Sequence, residues 1–480
     1  MRLAFLAAEM APHAQVGGLG DVTRWLPRAL AAAGDEVTVF LPDYDVLDPA
    51  GLPVREVIGS GDVPVGPLGT VGLRTLGDPA PGLPTVYLVS APQWFHIGSV
   101  YGEEREHLRF GALSAALAPL CSALGWMPDV VHANDWHTGL AALYLAAAGE
   151  PWASRPVVFT VHNLAYQGVF PAADLPRLGL EGWAHRFDPA DLAGGWLNSL
   201  KTGIATATAV TTVSPSFARE MLTPERGMAL DATLRARGDL PVGILNGIGE
   251  DWDPATDGRI PQCYRPGDLE GKAVNTAALR RRFVLRDRPG VPVAGVVSRM
   301  DRQKGFDLLR ETMPPLLARG RVQLAALGTG DPALESLFTG LARRFPGEAG
   351  HVAAFDPDLS HLVEAGSDLF LMPSVFEPSG LNQMYSMRYG TVPVAHRTGG
   401  LADTIEQWDG RSGTGFLFSP HSAEAFAASL EDALAAYESR DEWRRLVING
   451  MKKDFSWGAR AAEYREVYRR ATGPGTGRGA

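Results

Sequence analysis

The feature that most constrains this chain is an alternation. Short apolar runs are separated by longer stretches with helical spacing, in two successive series. The first series predicts strands over 2–8, 36–41, 85–90, 130–132, 157–161 and 209–213, with helices over 22–33, 104–124 and 138–148. The second starts near Val242 and predicts strands over 291–298, 321–327, 351–355, 369–372 and 392–395, with a helix over 305–319. Strands separated by helices pair in parallel and are covered on both faces. The expected fold is α/β, with two Rossmann-like domains. The first spans 1–243 and the second 244–455, and the junction lies in the Gly- and Asn-containing stretch 240–249. Residues 259–288 carry no strand pattern and are expected to form a helix and loop at a domain edge. The end is helical over 423–437, 441–454 and 459–471. The part after 456 is read as a closing helix followed by a disordered Gly-, Thr- and Pro-rich tail, 472–480.

A chain of 480 residues suits at least two domains, and 45% apolar against 20% charged residues is an ordinary globular balance. The net charge of −10 argues against a general nucleic-acid or anionic-membrane surface. Two distant cysteines, Cys121 and Cys263, form neither a disulfide framework nor a CxxC metal site. The apolar start meets Glu9 at once and reads as a buried strand, not a signal segment. No stretch reaches the roughly 18 apolar residues of a membrane helix, so a cytoplasmic chain is expected.

In open parallel sheets ligands bind beyond the carboxyl ends of the strands. The polar and glycine-rich segments fall at those places. After the first strand comes Gln15-Val16-Gly17-Gly18-Leu19-Gly20-Asp21, whose amides suit an anion at a helix start. It is half a dinucleotide fingerprint, because Thr23 stands at the third glycine. A tight strand-to-helix turn is the plainer account. Polar groups and aromatics next follow two strands, as Asn134-Asp135-Trp136-His137 and His162-Asn163-Leu164-Ala165-Tyr166. That mixture suits a sugar, which has apolar faces and a hydroxyl rim. A metal held by His132, His137 and His162 is the weaker reading, since no Cys or acid stands at metal-site spacing.

The second series is sharper. Arg299, then Asp301-Arg302-Gln303-Lys304-Gly305, puts cations at a strand end just before a helix, where they suit a diphosphate. Glu377 lies between Phe376 and Pro378 in the strand-to-helix loop that continues through Ser379, Gly380 and Leu381. Arg397-Thr398-Gly399-Gly400-Leu401 repeats the strand, glycine pair, helix pattern. Two glycine-pair loops, one per domain, are expected to face each other across a cleft around a donor's diphosphate.

Taken together, Glu9–Pro12, Gly17–Leu19, His132–His137, Thr160–Gly168, Ile244–Ile248, Ser298–Gly305, Pro373–Leu381 and Arg397–Asp403 resemble the bacterial glycogen synthases and plant starch synthases. Those are retaining glucosyltransferases of the GT-B fold. The resemblance implies transfer of glucose from ADP-glucose to the non-reducing end of an α-1,4-glucan, with retained configuration and no required metal or other cofactor. It implies catalytic roles for Glu377, His162, Arg299, Lys304 and Asp135. Donor contacts are implied for Gln15, Gly17, Gly18, Asn246, Ser379, Gly380, Leu381, Thr398, Gly399, Gly400 and Leu401, with Phe355 stacking on adenine. Trp136, Tyr166 and Trp94 are the expected acceptor-side aromatics, with a loop packed on the core an equal alternative for the segment 93–101 that holds Trp94. The last helix is implied to cross back to the first domain.

The chain also departs from that pattern. The family's lysine before Val-Gly-Gly is Gln15 here, its Cys after Glu-Pro is Ser379, and an arginine is replaced by Leu362. These keep open UDP-glucose as donor, a small acceptor, or a catalytically impaired glucan-binding relative. A nucleotide-dependent dehydrogenase lacks its complete glycine fingerprint.

Overall fold

The computed structural model describes residues 1–78, 80–102 and 104–473. The disorder expected for the end of the tail, 474–480, lies outside the described residues. The chain forms two compact units: Met1–Gly247 joined by the segment from Ser456 onward, and Ile248–Phe455.

The first unit is built on a nine-stranded sheet among the described residues. Its order is Val242–Gly243, Ala209–Thr212, Val157–Val161, Val130–Asn134, Arg2–Leu6, Glu36–Pro42, Thr85–Ser90, Thr70–Leu76 and Val54–Pro64. The first seven pair in parallel and the last two add on antiparallel. The expected parallel sheet is present, and the antiparallel strands Val54–Pro64 and Thr70–Leu76 are additions that the sequence pattern does not predict. Side chains of the first strand alternate between faces. Ala4 and Leu6 enter one core cluster with the helix Glu106–Ala123, while Leu3 and Phe5 enter another with Leu26 and Leu30 of Gly18–Ala32. That is the two-sided burial a parallel sheet requires.

The closing helix Trp457–Thr472 belongs to this first unit and seals the second cluster with Tyr464 and Tyr468. The Tyr468 hydroxyl lies 2.7 Å from His132 Nδ1 in the buried central strand. Gly247 is required where the chain passes this helix. A Cβ there would lie 2.8 Å from the Trp457 ring.

The second unit holds a six-stranded, wholly parallel sheet among the described residues, in the order Ala349–Val352, Gln323–Leu327, Val293–Val297, Leu369–Met372, Val392–His396, Phe416–Phe418. The strand expected over 351–355 is Ala349–Val352, so Phe355 lies in the following loop. The helix expected from 305 begins as the short turns Arg302–Lys304 and Phe306–Leu308, then runs Leu309–Ala318. Residues 259–288 contain the helix Glu270–Arg282. Among the described residues, no helix is long and apolar enough to cross a membrane.

Both sheets reverse their strand order once near the middle. In the first unit the reversal lies between Arg2–Leu6 and Val130–Asn134, and in the second between Val293–Val297 and Leu369–Met372. Loops leaving the carboxyl ends of two strands that diverge in this way leave a crevice between them.

Candidate functional site

In the second unit the loops beside the reversal carry Arg299 and Lys304 on one side and Glu377 on the other. Asp301 caps the Arg302–Lys304 turn by accepting from the Lys304 amide. Gly305 then takes φ 63°, and a Cβ there would lie 2.0 Å from the Pro373 carbonyl oxygen. Only glycine lets the two loops pass so closely. The close passage sets Lys304 Nζ 2.8 Å from Glu377 Oε2, which also accepts from the Ser374 hydroxyl at 2.9 Å. Glu377 is buried and Lys304 half-buried, so this ion pair is shielded more than a surface pair.

The Thr398–Leu401 turn supports the same carboxylate from behind. The Gly400 amide donates to the Glu377 carbonyl at 3.0 Å. A Cβ on Gly399, at φ 43°, would lie 2.0 Å from that carbonyl oxygen, and one on Gly400 would lie 2.0 Å from the Ser379 carbonyl oxygen. The glycine pair read as a phosphate loop therefore has a packing reason as well. Gln383 Nε2 donates to the carbonyls of Ser379 and Gly380 and fixes the loop that continues into Leu381. Arg299 is half-exposed and lies 3.5 Å from Asp301. Phe355 is 83% exposed, an open ring beyond the edge strand Ala349–Val352.

In the first unit the loop after Arg2–Leu6 is organised by a residue the sequence reading used only as a family marker. Glu9 is buried, and its Oε2 accepts from the amides of Val16 and Gly17, both at 2.7 Å. Its Oε1 accepts from the Tyr101 hydroxyl at 2.6 Å. These two loop amides, expected to face a ligand's anion, thus hold the chain's own carboxylate. Gly17 is the residue before the helix that Gly18 begins. Gln15 turns to that helix and donates to Asp21 at 3.0 Å.

Across the reversal, Asp135 follows the buried strand Val130–Asn134 at φ 54°, an uncommon conformation for a residue with a side chain. Its Oδ1 accepts from the His162 amide at 2.7 Å. Burial pushes its carboxyl up to about 7; the amides of His162 and Asn163 oppose the shift and the charge of Glu9 adds to it. His162 Nε2 lies 3.0 Å from Asn134 Oδ1, and the Asn134 amide nitrogen donates to the Leu6 carbonyl. This arrangement makes Nε2 the protonated nitrogen of a neutral His162 ring. Burial holds that ring far below its usual range, at about 3. Asn246, after the strand Val242–Gly243, is buried with no hydrogen-bond partner on its Oδ1 among the described residues, an acceptor suited to a hydroxyl or a water.

The acceptor aromatics fare unequally. Tyr166 is half-exposed. Trp136 is buried, packed edge-on against Phe110 at 5.3 Å and over Gly168, where a Cβ would lie 2.2 Å from the indole. Trp94 is half-buried and donates its indole N–H to the Leu68 carbonyl. Neither indole is an open platform, because each is fixed by the core beneath it. The three histidines of the metal reading have other surroundings. His132 bonds Tyr468 and Thr160, while His137 is stacked with Tyr101 at 4.9 Å. Among the described residues no group of three His, Cys, Asp or Glu could hold a metal ion.

The second unit thus brings Glu377, Lys304, Ser379–Leu381 and Thr398–Leu401 together. The first gathers Gln15, Gly17, Gly18, Asp135 and His162 beside its own reversal. Sequence reasoning missed Glu9 as the loop's anchor, Tyr101 and Ser374. An acid just after the first strand, eight residues before a glycine pair, was the available signal for Glu9.

The family model for the starch synthase catalytic domain matches residues 2–236, and that for glycosyl transferases group 1 matches residues 280–448. The chain is 47% identical to a glycogen synthase of Anaeromyxobacter dehalogenans, over 98% of this chain and 99% of that one. It is 42% identical to a glycogen synthase of Thioalkalivibrio sulfidiphilus, over 98% and 99%. Among solved structures, the catalytic domain of starch synthase IV from Arabidopsis thaliana, bound to ADP and acarbose, superposes with a TM-score of 0.89 at 34% identity, covering 98% of this chain and 99% of that one.

Proposed function

The chain belongs to the glycogen and starch synthase family of GT-B glycosyltransferases, and from that membership we propose that it extends an α-1,4-glucan at its non-reducing end with glucose from ADP-glucose, retaining configuration. The observation that carries this reading is the Lys304–Glu377 pair beside the strand-order reversal of the second unit.

In this reading the bond between the glucose anomeric carbon and the diphosphate breaks, and a bond to the glucan 4-hydroxyl forms. The hydroxyl proton leaves with the diphosphate. Negative charge grows on the departing ADP, and Lys304 and Arg299 are the cations that meet it. Fixed charges in a pocket that excludes water stabilise such a transition state strongly. Glu377, held by Lys304 and Ser374, faces the positive charge that develops on the sugar ring. His162 and Asp135 contribute the sugar subsite. The neutral imidazole and the carboxyl poised near neutrality act through hydrogen bonds. Thr398–Leu401 and Phe355 serve the nucleotide, and Tyr166 is the aromatic open to a glucan. The reaction is assigned to the cytoplasm, with no metal taking part.

Incorporation of labelled glucose into glycogen, measured separately from ADP-glucose and UDP-glucose, tests the donor. Incorporation from ADP-glucose is expected to dominate. A preference for UDP-glucose would overturn the donor, and no incorporation from either would overturn the activity.

A further inference from the structure

The second unit carries a basic cavity at the edge of its sheet opposite to Glu377. Its volume is about 370 Å³, and its walls include Arg286, Arg288, Arg319, Arg344, Glu348 and Phe345. The segments that supply them precede strands. Arg286 and Arg288 come before Val293–Val297, Arg319 before Gln323–Leu327, and Arg344 and Glu348 before Ala349–Val352. Arg299 and Lys304 follow the carboxyl end of the first of those strands. The cavity is therefore at least a strand length from them, on the order of 16 Å for five residues.

The four guanidinium groups come from three separate segments of a chain whose net charge is −10. Glu348 is the one acid in the lining. Its Oε1 accepts from both Arg286 at 3.2 Å and Arg288 at 3.0 Å. One acid against four arginines leaves a surplus of three positive charges in the lining. Two glycines make room for this crowding. Gly320, at φ 60°, would place a Cβ 2.2 Å from Arg288 Nη1, and Gly347, at φ 80°, would place one 2.6 Å from Arg286 Cγ.

A plainer account makes Arg319 and Arg344 counter-charges to the ends of the helices Leu309–Ala318 and Pro332–Arg344. For the first helix that need is already met. The amides of Gly320 and Arg321 cap the carbonyls of Leu317 and Leu316. Nor does a helix end explain why Arg286 and Arg288, which lie in a loop, converge on the same cavity. Like charges crowd in this way at modest cost when an anion neutralises them, and planar guanidinium groups grip phosphate oxygens in pairs.

We propose that this cavity binds a small phosphate-bearing anion, at a site separate from the diphosphate grip of Arg299 and Lys304. The apolar wall at Phe345, with Arg344 over its ring at 5.1 Å, leaves a surface for a carbon skeleton beside the phosphate. The ligand is then either inorganic, as phosphate or pyrophosphate, or a phosphorylated sugar.

The test is calorimetric titration of the full chain at low ionic strength with pyrophosphate, inorganic phosphate and glucose 1-phosphate in turn. The wild type, Lys304→Ala and Arg319→Ala/Arg344→Ala are compared. Both arginines of the double variant are exposed, so its melting temperature and glucosyl transfer should match the wild type. At least one probe is expected to bind the wild type and Lys304→Ala alike, and to bind the double variant more weakly by roughly tenfold or more. Selective binding of glucose 1-phosphate identifies the sugar-phosphate class, and binding of pyrophosphate or phosphate the inorganic one. Failure of every probe to bind the wild type overturns the proposal. So does binding that survives the double change, or binding that is lost in Lys304→Ala.

Discussion

Glu377 in the second unit is held by an ammonium at 2.8 Å and a serine hydroxyl. Glu9 and Asp135, beside the matching reversal of the first unit, are held by backbone amides and the Tyr101 hydroxyl. The same topological position thus carries two kinds of acid. One is ion-paired and keeps a cation next to it. The other, Asp135, is desolvated until its carboxyl rises to about 7. An acid paired with a cation suits the stabilisation of charge that appears during bond breaking, whereas a carboxyl near neutrality suits the exchange of hydrogen bonds with hydroxyl groups. Experiments can test whether this difference between the units matters for the reaction.

The largest effect should come from the ion pair. Glu377→Gln and Lys304→Ala are each expected to lower kcat on the order of 10²–10³-fold. If Lys304 acted only by holding Glu377, the double variant would be no slower than Glu377→Gln alone. Two groups that each act on the reacting sugar-diphosphate predict a further loss, and a double-mutant cycle in kcat distinguishes the two.

A smaller, pH-dependent effect should separate the units. Burial holds His132, His137 and His162 of the first unit at about 3. Their neutral forms persist in the fold while the unfolded chain takes up protons below 6.5, so stability is lost as pH falls from there. In the second unit burial raises Glu364 from 4.5 to about 8. The folded state keeps that proton and the unfolded state does not, so stability is gained as pH falls through the same interval. Asp135 acts in the Glu364 sense, but it is one group against three histidines. Between pH 8 and pH 5 the first unit should lose hydrogen-exchange protection relative to the second. Earlier opening of the strands Val293–Val297 and Leu369–Met372 would reverse the comparison.

The smallest effect concerns Gln15, which donates to Asp21 and brings no charge to its loop. Gln15→Lys should leave transfer from ADP-glucose unchanged or raise it by a few-fold, since an exposed added charge is worth little. A large loss would mean that the neutral side chain is tuned to a different donor.

Much of this was legible in the sequence, and the limits have physical causes. Val157–Val161 and Leu369–Met372 are strands at the expected bounds, because continuous apolar runs between polar loops have few other ways to be buried. Val54–Pro64 was missed because it is largely exposed, interrupted by Gly59 and Gly61, and paired antiparallel at the sheet's edge. Phe416–Phe418 was missed because three residues make no pattern. The loop chemistry was read from residue types, which placed Lys304 and Glu377 at strand ends. Their mutual contact depends on Gly305 and Gly399 allowing two loops to pass, and no spacing rule records that. Glu9 was the reverse case. Its type suggested little, while its geometry organises the whole glycine loop. Trp136 shows the same limit, since an aromatic near polar residues reads as a platform until its ring is seen to be covered.

The helix Trp457–Thr472 completes the core of a unit whose other residues end at Gly247. During synthesis the ribosome makes all of Ile248–Phe455 before that helix emerges. The later-made unit can therefore finish folding first, as an uninterrupted stretch of chain. The earlier-made one waits with Leu26, Leu30 and Ile244 uncovered. At about 5–20 residues per second, the delay between residue 247 and residue 472 is on the order of ten seconds or more. Through that interval the nascent first unit is the part of the molecule most in need of a chaperone.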